Sequence, residues 1–216
     1  MKKIYLLIFA VFVLASCDEK DDGSSNTLGG ETDIPMNTVG NEFSGTITFG
    51  DAYFYTDGVV TESDKGIVSV DVTGELPADF PLADLLPDSY KDNDGNLDAT
   101  LEFKNTSEGI LDYLNEDGKP FVLVKYDSEV GDKYVCEKKD GTKITREVTC
   151  KSTDDDYPYG FYLIKTVTVE QDSRIPGVEK IIYNANHRFG LVGVDIEMED
   201  GEIIHMTLYS ENDVKE

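Results

Sequence analysis

Four oxygen-bearing side chains alternate in the stretch DNDGNLD, namely Asp92, Asp94, Asn96 and Asp98. Carboxylate and amide oxygens in this spacing can surround a hard cation such as Ca²⁺, and Gly95 permits the sharp turn that such a loop needs. A complete twelve-residue calcium loop would have an acid where Tyr90 stands and a closing glutamate where Leu101 stands. The pattern therefore favours a plain acidic turn, with a weak calcium site as the alternative, and we expect no other cofactor.

A second candidate site is the stretch DDDYPYGFY, which contains Asp155, Tyr157, Tyr159 and Tyr162. A tyrosine offers a flat apolar face and a hydroxyl group, which suits stacking on a sugar and hydrogen bonding to it. The chain has no tryptophan, which weakens a glycan-binding interpretation. Half-buried aromatic residues at the start of a strand explain the same pattern, and a ligand-binding loop is the alternative.

Catalytic motifs are absent from the sequence. The two histidines, His187 and His205, stand in no recognisable motif, and there is no Gly-x-Ser-x-Gly, His-Glu-x-x-His or phosphate-binding loop. With 44 acidic residues, carboxylate pairs for glycoside hydrolysis cannot be picked out by spacing. We therefore predict no catalytic residues and a non-enzymatic protein, with an unrecognised hydrolase as a less favoured alternative.

The N-terminus is typical of a signal peptide over residues 1–16. Lys2 and Lys3 precede an unbroken apolar run from Ile4 to Leu14, followed by small residues. The run is shorter than the roughly 20 residues that span a bilayer, but its length suits the core of a signal peptide.

The segment Leu14-Ala15-Ser16-Cys17 resembles the lipobox of bacterial lipoproteins. In that family the cysteine thiol is joined to diacylglycerol, and the chain is cut just before the cysteine. The resemblance implies that Cys17 is the lipidation site and that the protein's membrane contact is made through acyl chains. More than one chain is needed for stable anchoring, since a single chain binds a membrane only marginally.

Acidic residues follow this cysteine directly, at Asp18, Glu19, Asp21 and Asp22. The run is similar to the export signal of surface lipoproteins in the Bacteroidota. The resemblance implies attachment to the cell outer membrane with the body facing outward, and the periplasmic face is the alternative. Residues 17–42 are rich in Gly, Ser, Asn and Thr, which predicts a flexible tether.

The remaining cysteines, Cys136 and Cys150, leave two interpretations open. An exported protein favours a disulfide between them. However, a hairpin turning at Asp140-Gly141 places Cys136 opposite Thr145 and Cys150 opposite Gly131. The two cysteines are then about 16 Å apart along the strands, beyond the reach of a disulfide. The bond forms only if the strand bends near Val148, and otherwise the two remain thiols.

The charge of the chain excludes a class of partners. The full sequence carries −25, and removal of the two signal-peptide lysines makes the mature charge −27. Nucleic-acid binding rests on neutralising phosphates, so we expect no nucleic-acid partner.

The body over residues 43–216 is predicted to be mainly β. Short segments with alternating apolar residues are predicted strands, among them residues 43–49, 52–56, 121–126 and 161–170. Turn signals such as Asp140-Gly141 and Asp200-Gly201 separate such segments, which indicates an antiparallel meander. Such a sheet closes as a barrel, half-barrel or sandwich. One short helix is expected over 105–118, with Asn105 as its cap, Ile110, Leu111 and Leu114 as its apolar face, and a boundary between two units can lie near 118.

These features together predict a lipid-anchored cell-envelope protein that acts as a surface binding or interaction module for a glycan or protein. The alternative is a periplasm-facing carrier or chaperone, in which a curled sheet shelters an apolar ligand.

Overall fold

The computed structural model describes residues 26–114, 118–173 and 175–210, and these residues form a mainly β protein. Their strands are β1 (Glu42–Phe49), β2 (Ala52–Asp64), β3 (Ile67–Gly74), β4 (Leu97–Thr106), β5 (Gly109–Asp112), β6 (Phe121–Lys125), β7 (Lys133–Glu137), β8 (Lys143–Lys151), β9 (Tyr157–Tyr159), β10 (Tyr162–Ile164), β11 (Val167–Asp172), β12 (Val178–Asn186), β13 (Gly190–Met198) and β14 (Ile203–Ser210). Short 3₁₀ turns lie at Pro35–Asn37, Ala83–Leu85 and Asp88–Tyr90.

Twelve of these strands form one antiparallel sheet that nearly closes as a barrel. Their order is β6-β5-β4-β3-β2-β1-β14-β13-β12-β11-β8-β7, and β9 pairs with β10 as a separate hairpin. Pairing of β1 with β14 joins the two ends of the body. One sheet thus includes strands from both sides of residue 118, so the described residues show no boundary between two units there. The predicted strand over 161–170 is divided between β10 and β11.

In strands such as β1, alternation of side chains directs one face into the barrel. In β1, Ile47 and Phe49 are buried, while the alternating Thr46 and Thr48 are only partly covered. One end of the interior is closed by the connection between β3 and β4. Its Phe80 packs against Phe49 and Phe54, with ring centroids 5.4 and 5.1 Å apart. The β3–β4 connection therefore supplies the cap at this end.

A buried ion pair lies inside the barrel near its two sheet edges. The Arg146 Nη1 of β8 lies 2.6 Å from the Asp112 Oδ2 of β5, and both side chains are almost completely buried. Arg146 also donates to the Gln171 Oε1 at 2.8 Å and to the Val122 carbonyl at 3.0 Å. Its guanidinium group lies over the Phe121 ring, 4.0 Å from the centroid. These contacts pair the charge and satisfy donors that would otherwise be costly to bury.

The helix predicted over 105–118 is wrong, because the described part of that segment forms the turn between β4 and β5 and the strand β5 itself. Thr106 Oγ1 accepts from the Glu108 N–H at 3.1 Å, which stabilises a tight turn instead of a helix cap. Ile110 and Leu111 are both buried, whereas Leu114 is about half exposed. A short apolar run of this kind fits a buried strand as well as a helix face, and tertiary packing decides between them.

Residues 26–41, predicted as part of the tether, instead pack against the barrel. Asn26 Nδ2 donates to the Val135 carbonyl of β7 at 2.9 Å, and Asn26 Oδ1 accepts from the Val122 N–H of β6 at 3.3 Å. Leu28 is buried in the adjoining core. Asn26 therefore bridges β6 and β7, the two strands at which the sheet ends. The prediction of a flexible spacer does not hold for residues 26–41, and residues 17–25 lie outside the described residues.

We predict that Asn26→Ala destabilises the barrel by about 1–3 kcal/mol, because the Val122 N–H and the Val135 carbonyl lose their partner. Urea unfolding of the full-length chain, followed by circular dichroism, measures the change in the free energy of unfolding. Asn93→Ala, in an exposed turn, is the matched control. Equal stability of the Asn26 and Asn93 variants would show that the bridge contributes nothing to closure.

Candidate ligand-binding groove

The predicted calcium loop is held by its own hydrogen bonds. Asp92 Oδ1 accepts from the backbone N–H groups of Asp94 and Asn96 at 2.9 and 2.8 Å, and the Asp92 N–H donates to the Asn96 carbonyl at 2.9 Å. Gly95 has φ = +87°, which an L side chain rarely adopts. No group of three or more His, Cys, Asp or Glu side chains within the described ranges is arranged to hold a metal ion. The geometry accounts for the loop as an acidic turn, so we do not propose a calcium site.

The predicted tyrosine loop is divided between core and surface. Tyr159 is buried between Phe189 and Tyr209, with ring centroids 4.7 and 5.0 Å away, and so packs the β9–β10 hairpin onto the barrel. Tyr157 is half-buried, and this burial raises the pKa of its hydroxyl. Tyr162 is exposed in β10, as is Asp155 before β9. These four residues therefore do not form one ligand-binding surface.

The two body cysteines are not joined by a disulfide in the structure. Cys136 is buried in β7 opposite Ile144, one residue from the predicted register, because the turn at Asp140-Gly141 has three central residues. Cys150 is exposed in β8 opposite Thr168 of β11. With Ile144 six residues from Cys150, the two cysteines lie roughly 20 Å apart along the strands.

His205 lies on the outer face of β14, where its Nδ1 is 2.7 Å from the Asp195 Oδ1 of the neighbouring strand β13. Asn184 Nδ2 donates to the other carboxylate oxygen of Asp195 at 3.4 Å. A hydrolytic site needs a nucleophile in hydrogen-bond reach of its base. In the described residues, the hydrogen-bond partner of His205 is the Asp195 carboxylate and not a serine, threonine or cysteine.

An open groove of about 740 Å³ lies beside the exposed end of β2. β2 starts at Ala52, but its pairing with β3 begins only at Asp57, because β3 ends at Gly74. The N-terminal end of β2 therefore has no β3 neighbour. The chain after Gly74 leaves the sheet as the β3–β4 connection and forms the opposite wall of the groove. A Cβ on Gly74 would lie 2.9 Å from the Tyr55 carbonyl oxygen. Glycine thus allows the close approach at the point where the two strands part.

Two exposed tyrosines form one wall of this groove. Tyr53 and Tyr55 are 61% and 64% exposed, and they share a face because they are two residues apart in a strand. Their ring centroids lie 5.6 Å apart at 71°, an edge-to-face contact. The cross-strand register continues this face to Thr48 and Thr46 of β1, and from Thr48 to His205 of β14. An outward face with two aromatic rings and several hydroxyl groups is chemically suited to recognition.

Four carboxylates also line the groove, those of Asp57, Glu75, Asp92 and Asp98. Asp57 of β2 and Asp98 of β4 lie on either side of Thr73 of β3, in one row across the three strands. Sequence reasoning missed this groove, although the segment AYFYT was correctly predicted as a strand. The available signal was the pair of tyrosines at alternate positions, followed by an acid on the same face.

No known protein family matches this chain, and no curated protein shows significant similarity to it. In the part of the chain that the structure describes, no helix has the length and apolar character needed to cross a membrane.

We predict that the turn at residues 92–96 loses its hydrogen bonds to Asp92 only when the pH falls below 3.8. The Asn96 N–H bonded to Asp92 lowers the pKa of this carboxyl below its ordinary value of 3.8, against a smaller opposing effect of burial. A lowered pKa stabilises the folded turn above pH 3.8, and this contribution is lost as the pH falls through the lower, folded-state value.

Amide chemical shifts of Asp94 and Asn96, followed by NMR from pH 6 to pH 2, measure this transition. The expected midpoint lies below 3.8, and Asp92→Asn should abolish it. A midpoint at or above 3.8 would contradict the assigned hydrogen bonds.

Proposed function

We propose that this chain is a lipid-anchored, non-enzymatic binding protein of the bacterial cell envelope that presents the β2 groove to the outside of the cell. The observation that carries the proposal is the open groove with two exposed tyrosines and four carboxylates. Aromatic faces beside polar groups are typical of recognition surfaces.

The anchor part of the proposal is supported by the lipobox-like segment that ends at Cys17 and by the acidic residues after it. Both lie outside the described residues. The packed body begins at Asn26, so residues 17–25 separate the proposed lipid from the barrel. Nine residues reach at most about 30 Å, so the body stays close to the membrane surface.

A binding role on the outer face is better supported than a carrier role inside the barrel. A carrier needs an apolar cavity, whereas side chains such as Phe121 and Val169 pack together in the described interior, where the Arg146–Asp112 pair is also buried. Catalysis has less support as well, because His205 is bonded to a carboxylate and no contact with a nucleophile is described.

Photo-cross-linking in living cells tests the binding function for a ligand of any chemical class. A benzophenone amino acid inserts into nearby C–H bonds, so it captures glycans as well as proteins. We expect adducts of the full-length chain when the probe replaces Tyr55, and far fewer when it replaces Tyr162, an exposed tyrosine of the β9–β10 hairpin. Adducts from position 162 with none from position 55 would place the binding surface on the hairpin and contradict the proposal.

A further inference from the structure

The groove exposes an unpaired strand edge. In the described residues, Tyr53–Thr56 of β2 pair with Gly45–Thr48 of β1 on one side, whereas pairing with β3 on the other side starts only at Asp57. Alternate backbone N–H and C=O groups of a strand point to opposite sides. Gly74 lies against Thr56, so the first residues of β2, Tyr53–Tyr55, offer backbone hydrogen-bonding groups toward the groove. Such an edge is a template for another extended chain.

The charge of the groove indicates which extended chain fits. Among its described lining residues there is no lysine, arginine or histidine to balance the four carboxylates. Asp57 and Asp98 stand two strands apart, on the order of 10 Å. An extended peptide with basic side chains on one face would bring positive charge beside these carboxylates.

The tyrosine rings favour the same chemistry. A lysine ammonium or an arginine guanidinium is attracted to the face of an aromatic ring as well as to a carboxylate. Tyr53 and Tyr55 meet edge to face, so the pair presents ring faces in two directions and forms no flat platform. A neutral sugar would benefit most from a flat platform and would leave the carboxylates uncompensated.

We propose that the groove binds an extended peptide rich in lysine or arginine, which adds as a strand to the edge of β2 at Tyr53–Tyr55. This inference rests on the proposed binding function and names its class of ligand. The backbone edge supplies affinity that is independent of side chains, and the carboxylates with the tyrosines select basic side chains.

Three fluorescein-labelled nine-residue peptides test the proposal by fluorescence anisotropy with the full-length chain in a non-ionic detergent. The first alternates threonine and lysine, the second alternates threonine and glutamate, and the third has the first sequence with alternate backbone nitrogens methylated. We expect saturable binding of the first peptide, no binding of the second, and at least about tenfold weaker binding of the third, because methylation removes backbone donors. Added salt should weaken the binding.

Matched variants separate the groove from the general acidity of the protein. Glu75→Gln together with Asp98→Asn removes two groove charges, and we expect about tenfold weaker binding of the lysine peptide. Glu62→Gln together with Asp64→Asn removes the same number of charges at the exposed C-terminal end of β2, away from the groove. This variant should change binding less than about twofold. Melting temperatures of both variants verify that they fold.

Each contrary result has a distinct meaning. Equal binding by the two double variants would show attraction by overall charge only, and equal binding of the methylated peptide would rule out strand addition. Absence of any peptide binding would overturn the inference. If a neutral oligosaccharide then bound and Tyr55→Ala abolished that binding, the groove would still be a binding site, but its ligand would not be a basic peptide. If the cross-linking probe at position 55 also captured nothing, both the proposed binding function and the inferred ligand class would be contradicted.

Discussion

The ion pair between Arg146 and Asp112 is the interaction around which the barrel closes. Each charge is buried, and a buried charge without its partner typically costs about 3–5 kcal/mol. Asp112 belongs to β5 and Arg146 to β8, and the arginine also bonds to backbone carbonyls of Phe121 and Val122 in β6. The pair thus holds together strands that are far apart in the sheet order but meet where the two sheet edges approach. Asn26, which precedes all the strands in the sequence, adds to this closure because it bridges β6 and β7.

Closure of the barrel also creates the groove. The connection between β3 and β4 is used to cap one end of the interior, where Phe80 packs on Phe49 and Phe54. To reach that end, the chain must leave the sheet at Gly74, and the first residues of β2 lose their neighbour on that side. The same connection then returns as the far wall of the groove. The cap that completes the core therefore leaves a strand edge available for recognition.

The sequence predicted much of the fold, because alternation and turn signals are local properties. The strands near residues 43–49 and 121–126 and the turn at Asp200-Gly201 are confirmed, as is the antiparallel β body. Of the three closures left open by the sequence, the structure has the nearly closed barrel. Ile110 and Leu111 were misread as a helix face, since a short apolar run has no period that distinguishes helix from strand. The tether was misread because Asn26 gains its role from Val122 and Val135, about a hundred residues away.

The candidate site was harder to predict than the fold. Tyr53 and Tyr55 were visible as strand residues, but their exposure depends on where β3 ends and how the β3–β4 connection runs. The tyrosines of the DDDYPYGFY stretch drew attention through composition alone, and packing then buried Tyr159. A binding surface is defined by what the neighbouring elements leave uncovered, and this information is long-range.

The most direct test of the functional account is proteinase K digestion of intact cells, followed by a blot for the body of the protein. A known periplasmic protein serves as one control, and digestion after rupture of the outer membrane serves as the other, since it shows that the barrel can be cleaved. The account predicts that the body is degraded on intact cells while the periplasmic protein survives. Survival on intact cells, with degradation only after rupture, would contradict an outward-facing binding protein.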